Sequence, residues 1–311
     1  MIQLHQVSRL YGKVIGVNDL TAELQPGAYG LVGPNGSGKT TLINLLTGQL
    51  RPTLGSVRVF GEDPWRRREM LRRIGLCPAS DVLYPNVSAL EWVKYQVRLH
   101  GFSGEDSRNR AEAALERVDM KDRMRRPMGS YSLGMRQRTK IAQAIAHDPD
   151  LLILDEPYNG LDPVGRFQMT EMLIQYAEEG RSLLFASHVL HEIEAITSSF
   201  MLIHGGRLLA SGTASEIDSI LADTPKEVTV HGKDVDRLAA RLIGFEWVDS
   251  MSLSRKGSQL TLALRDPQEL YRQLAQWVTS DGLSIDRLQA ETGELTVVLD
   301  SLLRHHRGEA R

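Results

Sequence analysis

The stretch Gly33-Pro34-Asn35-Gly36-Ser37-Gly38-Lys39-Thr40 constrains this chain more than any other. It is a complete G-x-x-x-x-G-K-T, it follows the apolar run Ala28 to Val32, and it opens a helical pattern. Its glycines let successive backbone N–H groups turn toward one anion at a helix N-terminus, where the helix dipole also favours negative charge. Lys39 adds a point charge and Thr40 a hydroxyl suited to Mg2+. The candidate nucleotide-binding residues here are therefore Gly33, Asn35, Gly36, Ser37, Gly38, Lys39, Thr40 and the adjoining Thr41. A strand, a phosphate loop and a helix in that order belong in an α/β fold.

The rest of the first two thirds agrees with such a fold. Short apolar or β-branched runs at Ile2 to Val7, Val14 to Leu24, Ser56 to Phe60, Leu151 to Leu154, Ser182 to Ala186 and Phe200 to His204 read as strands. Strands that are apolar throughout and separated by helices imply a parallel sheet buried on both faces, with the N-terminal strands set apart as an antiparallel group. A helix is expected from Lys39 through Leu50. The amphipathic stretches Ala89 to Leu99 and Arg108 to Val118 place a helical insert at about 87–146.

At Ala222-Asp223-Thr224-Pro225 the pattern breaks, which suggests one domain over 1–222 and an accessory domain over 223–311. The second reads strand (Glu227 to Val230), helix (Val235 to Ile243), strand (Trp247 to Leu253), strand (Gln259 to Leu264), helix (Pro267 to Thr279), strand (Leu283 to Leu288). That order suggests a small α+β, ferredoxin-like unit, with Leu295 to Leu303 as a further helix. The tail's His305-His306 reads as solvated rather than metal-binding.

A second chemical signal is Leu151-Leu152-Ile153-Leu154-Asp155-Glu156, an apolar strand ending in two carboxylates. Parallel sheets bind ligands at the C-terminal edge of their strands. There Asp155 suits Mg2+, held through water, and Glu156 suits the orientation or deprotonation of an attacking water. Strand-end acids alone are unremarkable, but beside a phosphate loop they indicate a nucleoside triphosphatase.

The run Tyr131-Ser132-Leu133-Gly134-Met135-Arg136-Gln137-Arg138 narrows the class: it resembles the ABC ATPase signature, Leu-Ser-Gly-Gly-Gln followed by Gln-Arg. Ser132, Gly134, Gln137 and Arg138 match, while Leu133 and Met135 depart in a way similar to the drug-export and cytochrome-maturation branch. Asn159-Gly160-Leu161-Asp162 resembles the D-loop, His188 the switch histidine that meets the γ-phosphate, and Tyr11 the aromatic on which adenine stacks. Where the family carries its Q-loop glutamine, within Ile74 to Ala79, this chain has Ala79, so Mg2+ would rest on Thr40, Asp155, phosphates and water.

The resemblance, which runs from Ile2 to about Glu216, implies an ATPase with ATP and Mg2+ as cofactors. It implies a nucleotide sandwiched between Lys39 of one subunit and Ser132 and Gly134 of another, and hence a homodimer or a paired heterodimer. It also implies a separate transmembrane permease that docks near Leu83 to Glu91, and the stretch Leu83 to Phe102 with the appended domain leans toward export. A regulatory or soluble non-transport ABC ATPase is the alternative; the intact Lys39, Asp155, Glu156 and His188 argue against a silent module.

Bulk composition limits the partners. Lys and Arg number 37 against 39 Asp and Glu, so no nucleic-acid partner is expected. Basic runs such as Arg66-Arg67-Arg68 are most simply a solvated face. Cys77 is the single cysteine, which fits a reducing interior, and no apolar run is long enough to span a bilayer. The expected location is the cytoplasm, peripheral on the inner face of the membrane through the permease.

Overall fold

A computed structural model describes residues 1–80, 84–213, 226–254 and 258–290. The chain divides into two compact units, Met1–Ala214 and Ser215–Arg311. The boundary expected after residue 222, the docking residue Leu83, the helix expected at Leu295 to Leu303 and the pair His305-His306 lie outside the described residues.

The first unit holds two sheets. In one, β1 (Ile2–Tyr11) pairs antiparallel with β2 (Val14–Leu24) and β4 (Leu54–Val59). The other runs β5 (Ile74–Cys77), β6 (Leu151–Asp155), β7 (Ser182–Ser187), β3 (Ala28–Val32), β8 (Ser199–His204), β9 (Arg207–Thr213), parallel except for β9. Every residue of β6 and β7 is buried, which is why these strands are continuous runs rather than alternating ones. The phosphate-loop strand β3 lies inside the sheet, between β7 and β8.

Helix α1 (Lys39–Leu46) packs Leu42, Leu45 and Leu46 into one core with Ile2 and Leu20 of the antiparallel sheet and Leu31, Ile153 and Leu184 of the parallel one. It stops short of Leu50 because Gly48 takes φ +65°, a backbone that leaves the helix, while Thr47 Oγ1 donates to Ile43 O at 2.9 Å. A side chain at Gly48 would meet Pro64 O at 2.2 Å, so the glycine also permits close packing there.

The insert comprises α2 (Ala89–Leu99), α3 (Gly104–Arg117) and α4 (Leu133–Ile145). Ser88 and Glu91 form a reciprocal capping box on α2. Ser103 caps α3 by accepting from Asp106 N at 3.1 Å, which starts that helix four residues before the Arg108 expected from periodicity. Helices α5 (Pro163–Glu178) and α6 (Leu190–Glu194) complete the described part of the unit.

Just beyond α4, His147 is buried, stacks on His100 with ring centroids 3.7 Å apart, and sets Nε2 3.1 Å from Ile74 O of β5. A carbonyl only accepts, so the ring proton belongs on Nε2. Burial, aided by the charge of His100, pushes the His147 pKa from 6.5 to about 4; Asp148 opposes this and Arg110 adds to it. Burial and Arg72 likewise lower His100. The folded pKa is depressed, so the stability contributed by His147 is complete above 6.5 and lost as pH falls from there through about 4. We expect this residue alone to cost about 3 kcal/mol over that interval. Urea unfolding at both ends of the interval checks it: His147→Gln should flatten the pH dependence, and an unchanged slope would count against it.

The second unit comprises β10 (Lys226–Gly232), α7 (Val235–Leu242), β11 (Val248–Leu253), β12 (Gln259–Leu264), α8 (Pro267–Asp281) and β13 (Ile285–Ala290). Its sheet is antiparallel in the order β11, β12, β10, β13, which with the βαββαβ chain order is the ferredoxin-like arrangement. Leu260, Leu262 and Leu264 alternate along β12 onto one face and meet Leu238, Leu242 and Leu270 of the two helices.

Candidate nucleotide site

The C-terminal end of β3 and the start of α1 form the floor of a cleft of about 510 Å3. Its wall carries Tyr11, Val14, Ile15 and Gly16 from the antiparallel sheet, residues 34–41, Ala79, and Asp155, Glu156, Asn159 and His188. Gly33 stands just behind: a Cβ there would meet Ile203 O at 2.3 Å. Gly38 takes φ +110° at the helix entry, against Gly16 O.

The charged groups converge. Lys39 Nζ donates to Gly33 O at 2.6 Å and Pro34 O at 3.3 Å, and stands 3.4 Å from Glu156 Oε1. Thr40 Oγ1 donates to Asp155 Oδ2 at 2.8 Å across two elements far apart in sequence. His188 Nδ1 lies 2.9 Å from Glu156 Oε2, and a carboxylate oxygen there favours the Nδ1–H tautomer. Burial raises the pKa of Asp155; the Thr40 hydroxyl opposes that, Glu156 adds to it, and Lys39 and Lys140 oppose it.

Two features mark this cleft as built for something other than itself. Glu156 holds φ +53°, which turns its side chain out of the strand at an energetic cost for a non-glycine residue. Ser37 Oγ and Glu156 Oε1 are buried without a hydrogen-bond partner, the Lys39 contact being an ion pair outside hydrogen-bond geometry. A phosphate chain and a hard cation would meet these needs. Among the described residues no three His, Cys, Asp or Glu side chains gather as a metal cage. Thr40 and Asp155 are two hard oxygen donors in contact, a pair of the chemistry that suits a hard cation.

Ser132, Gly134 and Asp162 are absent from this cleft's lining. Ser132 is exposed and caps α4 by accepting from Met135 N at 3.3 Å, and Asp162 caps α5 by accepting from Gly165 N at 2.7 Å. The two loops touch: a Cβ on Gly134 would lie 3.0 Å from Gly160 O. Tyr11 does line the cleft, with the Arg9 guanidinium 5.0 Å from its ring centre. Val14, Ile15 and Gly16 were not anticipated as site residues. Gly16 within a strand was the available signal, since a Cβ there would strike the Tyr11 ring at 2.7 Å and Thr41 at 2.9 Å.

A family model described as ABC transporter matches residues 17–159. The Nod factor export ATP-binding protein I of Cupriavidus pinatubonensis is 35% identical over 273 residues, covering 87% of this chain and 82% of its own length. The chain belongs to the ABC transporter ATP-binding family. The bacitracin transport ATP-binding protein BcrA of Bacillus licheniformis is 37% identical over 212 residues, 67% of this chain and 68% of its own length. Among solved structures, a dimeric ATP-binding cassette in a post-hydrolysis state with ADP and Pi aligns with a TM-score of 0.63 at 23% identity, over 68% of this chain and 98% of that one. That likeness shows the shared fold. As an ABC ATP-binding subunit the chain is an ATPase of a transporter, and its own phosphate loop and strand-end acids line one cleft.

Proposed function

We propose that this ABC subunit works as one half of a pair of like chains, hydrolysing Mg-ATP on the inner face of a membrane to drive export through a separate membrane-spanning subunit. One observation carries the reading. Lys39, Thr40, Asp155, Glu156 and His188 meet in one cleft, whereas Ser132, Gly134 and Asp162 stand outside it, Ser132 at the exposed cap of α4 and Asp162 at the exposed cap of α5. A complete site then takes its phosphate loop from one chain and its Ser132 from another. The related cassette solved as a dimer supports this arrangement. Relatives named for Nod factor export and bacitracin transport support the transport class. Relatives named as ATP-binding proteins of export and transport systems support placing the membrane path in a separate partner; among the described residues no helix is long and apolar enough to cross a membrane.

Within each site the adenine lies against Tyr11, and the phosphates lie over residues 33–41, where backbone N–H groups and Lys39 balance their charge. Thr40 and Asp155 would hold Mg2+, which would supply positive charge to balance the phosphates. Glu156 orients the attacking water and accepts its proton, and His188, fixed on Glu156 through Nδ1–H, holds that carboxylate in place.

Mixing tests the shared site. Lys39→Ala and Ser132→Arg chains should each be silent alone, and an equimolar mixture should recover about a quarter of the wild-type rate, since half the pairs are mixed and each holds one intact site. If both variants still pair and the mixture stays silent, the shared-site reading is wrong.

A further inference from the structure

The cleft wall beyond β5 is held from outside. After Cys77 the chain runs through Pro78 and Ala79, and Ala79 faces the cleft. Ala79 ends at Cβ and Pro78 has no N–H, so neither side chain can anchor this piece of backbone by a hydrogen bond. Helix α4 does so instead. Lys140 Nζ donates to Pro78 O at 3.1 Å and to Ala79 O at 3.3 Å. One turn earlier on the same helix, the buried Gln137 reaches Cys77 Sγ with Nε2 at 3.7 Å. Residues at i and i+3 share a helix face, so α4 grips the end of β5 at two successive points. The same helix begins at Ser132, and its cap is the element left exposed for a second chain.

We propose that Lys140 is a positioning residue for ATP hydrolysis: its bonds to the Pro78 and Ala79 carbonyls fix the cleft wall beside Asp155 and Glu156 and tie it to α4. This rests on the ATPase assignment and deepens it. The base and the phosphates bind through Tyr11 and residues 33–41, none of which Lys140 touches in these bonds. The loss should therefore fall on the chemical step rather than on affinity. A wall that drifts by a fraction of an ångström misplaces the groups around the attacking water, and such misplacement costs far more in rate than in binding.

In Lys140→Met, kcat should fall about tenfold while KM for ATP stays close to wild type. Lys140→Arg, which can donate to both carbonyls, should recover most of the rate. Hydrogen exchange supplies a readout independent of turnover: backbone amides in the 74–80 segment should exchange faster in Lys140→Met and stay protected in Lys140→Arg. Lys140→Gln, which keeps a donor of shorter reach, takes the place of Met should that variant fail to fold. Unchanged exchange overturns the tether. Faster exchange with unchanged kcat, or a loss shared equally by KM and not rescued by Arg, overturns the positioning role. A wild-type chain that does not hydrolyse ATP at all, with exchange responding as described, would instead strike the ATPase assignment beneath it.

Discussion

Glu156→Gln is expected to lower ATP turnover by about two to four orders of magnitude, the range over which a positioned general base acts, while nucleotide binding survives. The geometry supports both halves. Oε2 sits 2.9 Å from His188 Nδ1 and Oε1 sits 3.4 Å from Lys39 Nζ, so the carboxylate occupies the far side of the phosphate loop's ammonium. Glutamine keeps the shape, and the amide oxygen can still meet the His188 donor. What it loses is the ability to take a proton from water. Removing a negative charge from a cleft that receives phosphates works in favour of binding. The variant should therefore hold ATP longer, and the closed pair should accumulate in Mg-ATP as an earlier peak in size exclusion. Steady-state phosphate release beside wild type, with size exclusion of both, checks the prediction. A variant that keeps most of the wild-type rate would remove Glu156 from the chemistry, and the strained φ of +53° at that residue would then need another explanation.

Some of this site was legible from sequence because it is encoded locally. A phosphate loop needs its glycines, lysine and threonine within eight consecutive positions, and a strand ending in acids needs only six, so both could be read before any folding. His188 has no local signature of its own and stands out only through resemblance to the family's switch histidine, and the fold brings it to Glu156 over 32 residues of separation. Contacts with no local signature were not legible. Val14, Ile15 and Gly16 look like ordinary strand residues, and they reach the cleft only because the β1–β2 sheet packs over α1. Strand β5 is four residues with a glycine among them, and β9, Arg207–Thr213, has one β-branched residue, so neither rises above its surroundings in a propensity reading. The bonds from Lys140 to two carbonyls are invisible in principle, because the acceptors are backbone and carry no residue identity. The accessory unit was read nearly element by element, since alternation along β12 and amphipathic helices around it are strong periodic signals.

Gly38→Ala is expected to cost both stability and nucleotide binding, whereas Gly36→Ala two residues away should cost much less stability. Both glycines have positive φ, +110° and +81°, but their surroundings differ. A Cβ at Gly36 would meet nothing within 4 Å, so only the backbone preference opposes alanine there, about 1–2 kcal/mol. At Gly38 the same atom would lie 2.4 Å from Gly16 O and 3.2 Å from Val17 Cγ1. The first of these is backbone and cannot rotate away. Nor can the loop retreat easily, because Gly206 N donates to Ser37 O at 2.8 Å and Asn18 N donates to Gly206 O at 2.7 Å, which ties loop, β2 and the β8–β9 turn together. Backbone strain of about 1–3 kcal/mol and a comparable overpacking cost of about 1–3 kcal/mol then add at one residue. Any relief must come from moving the first turn of α1, the turn whose N–H groups face the phosphates, so relief of strain and loss of binding are the same displacement. Chemical denaturation of the two variants, with titration by a fluorescent ATP analogue, separates the cases. If Gly38→Ala matched Gly36→Ala in stability and still bound nucleotide, the close approach of Gly16 O would not be what demands glycine at the helix entry.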